Sequence, residues 1–368
     1  MIISPAFTKN NIPIVFSTDP NFVPYLAVAL QSLLDHTSSA TNYDIWIMEE
    51  NLEDFRKQQL LSYTRQNISI RFINMSSYME EYKDSWYIHD WGVGKWHSLS
   101  VYYRFFIPEI FREYEKIVFL DGDIVVNCDI AELFNMDLNN KQIAAVKDYS
   151  RNVKNDVIAE YAENTLRVSR TKYFNAGILV FNLKQLKKTN FLETCLETLK
   201  KIGKPKLQDQ DIFNVVFKDN VLYLDYSYNC LFWSIKYGRK NAKELLDSNL
   251  YNLWEKIAKN PKIFHYAGSR KPWKEPQLEY ANYFWEYARQ TPFYEEILLR
   301  MVQSNTVIPN VTVNKEMVKH ITHRFKYRLR YLKYKLLKPF VFGKLRKKYK
   351  EKKKKYKQLL KQIKNYLK

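Results

Sequence analysis

The N-terminal part of the chain alternates between short apolar runs and segments of helical periodicity. The predicted elements are strands at Ile12–Phe16, Tyr43–Met48 and Ile68–Ile73, and helices at Tyr25–Leu34 and Leu52–Tyr63. Strands that alternate with helices in this order predict a doubly wound, parallel arrangement. Because such sheets bind ligands beyond the carboxyl ends of their strands, the polar loop Ser17–Asn21 is expected to face a ligand.

The middle of the chain has a compact strand pattern that ends in two acidic residues. Lys116–Leu120 is a buried-strand pattern, Asp121-Gly122-Asp123 follows it directly, and a second apolar run covers Ile124–Val126. Met75–Ser98 has no regular period. Further strands are predicted at Ile143–Val146, Gly177–Phe181 and Pro261–His265, and helices at Val101–Ile110, Phe191–Ile202, Asp209–Phe217 and Leu278–Arg289.

The composition changes beyond about Thr312, which divides the sequence into a body, residues 1–311, and a tail, residues 312–368. One apolar stripe recurs at helical spacing on the basic tail: Ile321, Phe325, Leu329, Leu332 and Leu336. Pro339 and Gly343 interrupt it. The Lys-rich segment Arg346–Lys368 is expected to be helical only under some conditions.

The tail carries the entire net charge of +20. Residues 317–368 contain 21 Lys and Arg and a single acidic residue, Glu351, so the rest of the chain is neutral. A basic, amphipathic tail on a neutral body predicts attachment to an anionic membrane surface. The alternative is a disordered, solubilising tail. Nucleic-acid binding is disfavoured, because the body has no basic cluster.

Three widely separated cysteines, Cys128, Cys195 and Cys230, fit neither a disulfide framework nor a zinc site. Their odd number favours a reducing compartment. The sequence shows neither a secretory signal pattern nor an apolar run near the ~20 residues that span a bilayer. These features predict a cytoplasmic protein that is bound peripherally to the inner face of the membrane.

Asp121 and Asp123 are the strongest candidates for chemistry. Two carboxylates in a partly desolvated cleft repel each other unless a cation lies between them. Oxygen ligands suit Mg²⁺ or Mn²⁺, and a diphosphate would complete the coordination shell. The alternative is an ordinary acidic turn, since Asp-Gly pairs are common in turns. The apolar runs on both sides favour the metal site.

Five segments together resemble glycosyltransferase family 8, which includes bacterial lipopolysaccharide galactosyl- and glucosyltransferases. They are Phe16–Asn21, Asp121–Asp123, Phe174–Gly177, Gln208–Ile212 and His265–Trp273, in family order. The resemblance implies a GT-A fold: a single Rossmann-like mixed α/β sheet flanked by helices, here with a basic helical C-terminal extension. It also implies a metal-dependent enzyme that transfers galactose or glucose, with retention, from a UDP-sugar to a hydroxyl of a cell-surface glycan such as lipopolysaccharide core.

Two alternatives to that function stay open. The acceptor could be a capsular or protein-linked glycan, or the chain could be a non-catalytic UDP-sugar-binding scaffold at the membrane. The acceptor is expected to contact the stretches without family motifs, Met75–Ser98 and Asp225–Leu250, and the tail.

The resemblance also implies roles for individual residues. The expected ligands of Mn²⁺, with Mg²⁺ as the alternative ion, are Asp121, Asp123 and His265. The expected donor-binding residues are Ser17, Asp19, Asn21, Arg104, Asp121, Gly122, Asp148, Asn175, Ala176, Gly177, Gly268 and Lys271. Ser17 would act through its backbone, and a helix cap is the alternative for Asp19. Arg104 has aromatic flanks and is expected to be buried beside an anionic partner.

Asp209 and Gln210 are expected at the reacting face. Gln210 stands where a double displacement would need a nucleophile, and a neutral amide is a poor one. Front-face attack is therefore favoured, with a departing phosphate oxygen accepting the acceptor's proton. Lys271 would balance the charge that develops on the leaving UDP.

Overall fold

The structure, a computed structural model, describes residues 3–85, 98–153, 156–231, 248–303, 327–328, 331 and 343–366. The described residues form ten strands: β1 (Asn11–Ser17), β2 (Asn42–Glu49), β3 (Ile68–Asn74), β4 (Lys116–Leu120), β5 (Ile124–Val126), β6 (Ile143–Lys147), β7 (Phe174–Asn182), β8 (Val221–Tyr223), β9 (Cys230–Leu231) and β10 (Ile263–His265).

Seven of these strands build one mixed sheet in the order β3-β2-β1-β4-β7-β6-β8. β7 runs antiparallel to both of its neighbours, and the other pairs are parallel. The predicted α/β fold with a mixed sheet is confirmed. A second sheet of three strands, β5-β10-β9, accompanies it and was not anticipated from the sequence.

The α-helices of the described residues flank and follow these strands. They are α1 (Val23–Leu34), α2 (Asp54–Leu61), α3 (Ser76–Glu81), α4 (Ile107–Ile110), α5 (Ala131–Phe134), α6 (Val157–Asn164), α7 (Leu183–Leu186), α8 (Phe191–Ile202), α9 (Asp209–Val216), α10 (Ser248–Lys259), α11 (Ala281–Ala288), α12 (Tyr294–Gln303) and α13 (Gly343–Tyr366). Short 3-10 helices cover Lys83–Ser85, Leu99–Phe106, Tyr149–Asn152 and Tyr226–Asn229.

A continuous apolar core lies against one face of the main sheet. Side chains from the Leu99–Phe106 segment, α8 and α9 pack there on sheet residues such as Phe119 and Phe181. Phe213 of α9 lies among Phe105, Phe181, Phe191 and Phe217, with ring centroids 5.3 to 6.0 Å away. This aromatic cluster fixes α9, whose first residues are Asp209 and Gln210.

Most predicted elements are confirmed within a few residues, and some differ in kind or extent. Ser76–Glu81 is a helix where the sequence predicted an irregular stretch. The predicted helix Val101–Ile110 is mostly 3-10, because it comprises Leu99–Phe106 followed by a single α-turn. β7 begins three residues before the predicted strand. Trp86, Trp91 and Trp96 lie outside the described residues.

The chain divides into two compact units. One comprises Met1–Pro272 and Leu278–Pro292, and the other comprises Trp273–Gln277 and Phe293–Lys368. The predicted boundary between residues 311 and 312 lies outside the described residues and stays a prediction, as does the stripe from Ile321 to Leu336. In the second unit, the Lys-rich segment forms the 24-residue helix α13. Among the described residues, we find no helix with both the length and the apolar character needed to cross a bilayer.

Candidate active site

Two carboxylates and an imidazole meet at one edge of the main sheet. Asp121, Asp123 and His265 each offer one ligand atom, and these atoms lie within 4.8 Å of one another. His265 Nε2 is 3.8 Å from Asp121 Oδ2 and 3.2 Å from Asp123 Oδ1. This mixed oxygen and nitrogen donor set suits a divalent cation. The structure thus brings together the three residues that the sequence predicted as metal ligands.

Strand pairing explains why ligands so distant in sequence are close in space. Asp121 directly follows β4, and Asp123 directly precedes β5. β5 pairs antiparallel with β10 so that Ile124 lies opposite His265. The backbone N–H of Tyr266 donates to Asp123 O at 3.0 Å and extends this pairing into the site.

Two basic side chains hold the aspartates from the outside. Arg104 Nη2 donates to Asp121 Oδ1 at 2.8 Å, and Lys271 Nζ donates to Asp123 Oδ2. In each aspartate, one carboxylate oxygen accepts from a basic side chain, Arg104 or Lys271, and the other oxygen faces His265. The site holds its carboxylates in place before any ligand binds, because these partners offset their mutual repulsion.

Arg104 is buried, as its aromatic flanks predicted, and its partners belong to the protein. Its guanidinium lies 4.1 Å from the ring centroid of Phe119 and donates to Ala176 O at 2.7 Å. Arg104 Nη1 is also 3.1 Å from Asp209 Oδ2, without the alignment of a hydrogen bond. Asp209 Oδ2 therefore has no hydrogen-bond partner among the described residues, although it is buried.

A bulge in β7 delivers backbone groups to the site. Ala145 of β6 lies opposite Leu179, but the next residue, Val146, lies opposite Asn175. Residues 176–178 are thus extra relative to β6, and bulges of this kind recur beside active sites. The N–H of Ala176 donates instead to Gln210 Oε1 at 3.1 Å, and the N–H of Gly177 to Asn175 Oδ1 at 2.9 Å.

Gly177 makes room for the side chains of Asp121 and His265. A β-carbon at this position would lie 2.3 Å from His265 Cε1 and 2.8 Å from Asp121 Oδ2. Gly177 was predicted from the sequence to be a donor-binding residue, and that role stays a prediction. The groups that occupy the neighbouring space are protein side chains, so the glycine is required by His265 and Asp121.

The electrostatic environment shifts the pKa values of Asp123 and Asp209 in opposite directions. Burial raises the pKa of Asp123, but Lys271 and His265 outweigh it and hold that pKa well below its usual range. Burial also raises the pKa of Asp209, to about 7; Arg104 lowers it in part, and Asp121 raises it further. Asp123 is thus an anion at neutral pH, whereas Asp209 is poised between its two protonation states.

The sequence model of glycosyl transferase family 8 matches residues 13–277, and these include every element of the site. The chain belongs to glycosyl transferase family 8. The resemblance stated from five motifs is thereby confirmed. The region from 278 onward, which includes the basic tail, lies beyond the match.

Similar proteins agree with this assignment. A putative glycosyltransferase of Haemophilus influenzae is 30% identical over 59% of this chain and 62% of its own length. The lipopolysaccharide 1,2-glucosyltransferase of Escherichia coli is 24% identical over 74% of this chain and 77% of its own. The apo structure of WbbM, a bifunctional glycosyltransferase, superposes with a TM-score of 0.68 and 30% identity, covering 82% of this chain and 53% of that one. The chain therefore spans about three-fifths of the Haemophilus protein and about half of WbbM.

At the first strand of this family 8 chain, the predicted nucleotide-binding residues form a turn. Ser17 is the last residue of β1, and Asn21 lies four residues further on, before α1. Asp19 Oδ1 accepts hydrogen bonds from the N–H groups of Asn21 and Phe22, at 2.8 and 3.1 Å. Asp19 thus stabilises a turn ahead of α1 and is not the helix cap weighed as its alternative role, because the N-cap of α1 is Phe22. Its predicted part in donor binding stays a prediction.

Asp148 is occupied by its own neighbours. Its Oδ1 accepts from the N–H and hydroxyl of Ser150, and its Oδ2 lies 3.2 Å from Arg151 Nε. The carboxylate caps the short helix Tyr149–Asn152 and is 4% exposed. These intramolecular partners would therefore compete with the donor that Asp148 is predicted to bind.

The two remaining predicted glycines differ in what they accommodate. A β-carbon on Gly122 would lie 3.1 Å from the ring of Phe22, so this glycine lets α1 approach the acidic pair. Gly268 takes φ +89° in open space, a conformation that favours glycine. It turns the chain between His265 and Lys271 so that Lys271 reaches Asp123.

Asn229 was not predicted from the sequence, and it contacts His265 on the side away from Asp121 and Asp123. It is fully buried, and its Oδ1 is 2.9 Å from His265 Nδ1. Asp225–Leu250 had been assigned to acceptor binding because it has no family motif. An uncharged residue in such a stretch gives no chemical indication of its role, and only the pairing of β9 with β10 reveals it.

Proposed function

We propose that this chain is a retaining transferase that moves a hexose, galactose or glucose, from a UDP-sugar to a hydroxyl of a cell-surface glycan. The observation that carries the proposal is the convergence of Asp121, Asp123 and His265 within 4.8 Å. Membership of family 8 supports the reaction class. The intact acidic pair, imidazole and lysine favour an active enzyme over a non-catalytic scaffold.

The residues present fit a divalent cation, with Mn²⁺ as the proposed ion. Asp121 Oδ2, Asp123 Oδ1 and His265 Nε2 would hold it, because the other oxygen of each aspartate is engaged by Arg104 or Lys271. Imidazole among the ligands favours Mn²⁺ over Mg²⁺. When bound, such an ion would neutralise part of the charge of a diphosphate leaving group.

The chain's own groups favour front-face attack. In this scheme the bond from the anomeric carbon to the UDP oxygen breaks and its electron pair leaves with UDP. The acceptor oxygen bonds to the same face, and its proton passes to the departing phosphate oxygen. Gln210 Oε1 already accepts hydrogen bonds from Asn175 Nδ2 at 2.9 Å and from Ala176 N at 3.1 Å. That amide oxygen is therefore held by two donors and poorly placed to act as a nucleophile.

We further propose lipopolysaccharide core as the acceptor and the inner membrane face as the place of action. The Escherichia coli relative, a lipopolysaccharide 1,2-glucosyltransferase, supports the first part. The second rests on α13, where lysines are exposed at 347, 350, 352, 354, 355, 357 and 361. Five of them, at 347, 350, 354, 357 and 361, lie along one side of the helix, where an anionic leaflet would attract them.

The test of the proposed function measures UDP release from UDP-galactose and UDP-glucose with added Mn²⁺. Asp121→Ala and Asp123→Ala should each abolish Mn²⁺-dependent release. Asp137→Ala is the matched control, because Asp137 is exposed and its carboxylate only caps a local turn with Asn139 N. Calorimetric titration with UDP, with and without Mn²⁺, separates loss of binding from loss of turnover. Full activity in both site variants would refute the assigned metal site.

A further inference from the structure

Asn229 is part of a chain of buried amides. His265 Nδ1 is 2.9 Å from Asn229 Oδ1, Asn229 Nδ2 is 2.8 Å from Asn175 Oδ1, and Asn175 Nδ2 is 2.9 Å from Gln210 Oε1. All four residues are at most 8% exposed. The chain therefore connects a proposed metal ligand with the residue expected at the reacting face, and it excludes water from the connection.

Two backbone groups fix which way every amide in this chain points. A backbone N–H can only donate, so the atom of Asn175 that faces Gly177 N must be its oxygen. By the same argument, the atom of Gln210 that faces Ala176 N must be its oxygen. These assignments do not depend on distinguishing oxygen from nitrogen in either side chain.

The direction of the remaining hydrogen bonds follows from these two anchors. Because Asn175 presents its oxygen, the atom of Asn229 that faces it must be the donor Nδ2. The atom of Asn229 that faces His265 is then its oxygen, which can only accept. His265 must therefore carry a proton on Nδ1, which leaves the lone pair on Nε2, the atom that faces Asp121 and Asp123.

We propose that Asn229 is a positioning residue that selects the Nδ1–H tautomer of His265 and couples the metal site to the amide of Gln210 through Asn175. The proposal rests on the proposed function, since it takes His265 as a metal ligand. Partners that orient a ligating histidine govern metal affinity and activity. Here the orienting group is a neutral amide, which is itself oriented by the bulge of β7.

The local structure holds Asn229 firmly enough for this role. It ends the short helix Tyr226–Asn229, which Asp225 caps through Ser227 N at 2.9 Å. Its neighbour Tyr228 donates to Glu132 Oε2 at 3.0 Å. The following strand, β9, pairs with β10 so that Leu231 lies opposite His265. Asn229 directly precedes β9 and His265 ends β10, so the backbone pairing of these two strands sets their separation.

The first experiment reads the tautomer in the wild-type protein. The chain contains six histidines, and selective ¹⁵N-histidine labelling of the full-length protein gives their ring resonances. Loss of one set in His265→Gln assigns His265. We expect the Nδ1–H form of neutral imidazole in the metal-free protein. A neutral His265 that carries its proton on Nε2 would overturn the proposal without any variant of Asn229.

The second experiment separates the two functions of Asn229. Asn229→Leu removes both hydrogen bonds, and we expect Mn²⁺ to bind about 10- to 100-fold more weakly in the presence of UDP, measured by electron paramagnetic resonance. Asn229→Asp keeps an acceptor for His265 but faces Asn175 Oδ1 with a second acceptor. We expect it to retain Mn²⁺ affinity and to lose about ten-fold in the rate of UDP release, with little change in KM.

Asn127→Leu is the matched control. Asn127 follows β5 and donates to Pro261 O at 3.0 Å, so the variant loses an amide hydrogen bond of the same small sheet without touching His265. It should keep both Mn²⁺ affinity and turnover, and thermal unfolding confirms that each variant is folded. Unchanged Mn²⁺ affinity in folded Asn229→Leu overturns this inference and leaves the proposed function standing. Failure of the wild type to bind Mn²⁺ refutes the proposed function instead.

Discussion

At the scale of single residues, the arrangement of Asp121, Asp123 and His265 depends on the free space beside the imidazole of His265. Gly177 supplies that space, since any larger residue would meet His265 Cε1 and Asp121 Oδ2. Both atoms belong to side chains that are held elsewhere, His265 by Asn229 and Asp121 by Arg104. Neither side chain can move away without breaking a buried hydrogen bond.

Gly177→Ala should therefore impair metal binding more than it impairs folding. We expect a loss of about 1–3 kcal/mol in unfolding free energy from overpacking, together with loss of Mn²⁺-dependent UDP release. Gly122→Ala provides the comparison, because its methyl group would meet the ring of Phe22 at 3.1 Å and no metal ligand. Equal losses of Mn²⁺ affinity in the two variants would show that the space beside His265 is not what matters.

The buried carboxyl of Asp209 predicts a pH dependence of stability. Its pKa rises from 3.8 to about 7 on folding, chiefly through burial. Between these values the folded protein holds a proton that the unfolded chain has released. The free energy of unfolding must therefore fall as the pH rises through this window.

Asp209→Asn should remove this contribution. In metal-free protein, we expect the stability of the variant relative to wild type to increase from about pH 5 to about pH 8, measured by urea unfolding. Asn keeps a polar partner beside Arg104, so the comparison isolates the proton. A stability difference that is constant over this range would contradict the raised pKa.

The sequence predicted most of the polar residues of the site, including the neutral Asn175 and Gln210, and missed Asn229. Asp121 and Asp123 were predicted because two carboxylates at the end of a buried strand suit a cation, whereas His265 was predicted through the resemblance to family 8. Asn229 was not, since its role depends on its register beside His265. The partners of Arg104 were also beyond prediction, because Asp209 reaches it only through the packing of α9.

At the scale of elements, an aromatic cluster positions the reacting face. Phe213 lies on α9 one turn after Asp209 and Gln210, and its ring is fully buried among four other phenylalanines. The cluster acts together with the hydrogen bonds between the Asn214 side chain of α9 and the backbone of Phe174 to set how far α9 projects toward Asn175 and Arg104. Substitutions that disturb the packing of this cluster should therefore lower the free energy of unfolding and displace Asp209 and Gln210.

Phe213→Ala should lower the free energy of unfolding by about 3–5 kcal/mol, the usual range for removing a buried aromatic ring. Phe55→Ala is the matched control, because Phe55 is 54% exposed and its loss should cost less than about 0.5 kcal/mol. Urea unfolding of both variants measures the difference. Similar losses would mean that the cluster does not hold α9.

The elements that the sequence predicted are those with a long and consistent hydrophobic period. α8 was predicted to the residue, and β1 and β2 to within one residue at each end. The two-residue strand β9 has too few residues to show any period. The Leu99–Phe106 segment was predicted as a helix because a 3-10 helix and an α-helix share nearly the same apolar spacing.

At the scale of the whole molecule, charge and chemistry are segregated. In the second unit, α13 carries all the described lysines of the tail, and Tyr356 packs on Tyr327 with ring centroids 5.7 Å apart. Lys353 Nζ lies 5.8 Å from the centroid of Tyr331. One face of the helix thus has internal contacts, and the exposed lysines lie elsewhere. Attachment through such a helix would be chiefly electrostatic.

Removing the residues after Thr312 should release the protein from anionic liposomes and leave UDP-sugar hydrolysis intact. Each basic residue near the surface contributes about 1 kcal/mol, so several together dominate the attachment. Flotation of full-length and truncated protein measures it, with neutral liposomes as the control. Binding of the full-length protein should be lost near 1 M salt, where the Debye length is about 3 Å. Truncated protein that still floats with the anionic liposomes would contradict the tail's role.

The reversed direction of β7 has a consequence for how a donor is chosen. Asn175, Ala176 and Gly177 stand at the start of that strand, and the N–H groups of Ala176 and Gly177 donate to the buried side chains of Gln210 and Asn175 instead of to solvent. A site built this way is preorganised: little ordering entropy is lost when a ligand arrives. Hydrogen–deuterium exchange at the amides of Ala176 and Gly177 should accordingly be among the slowest in the molecule, and selectivity between epimeric sugars would come from a fixed shape that the ligand must match.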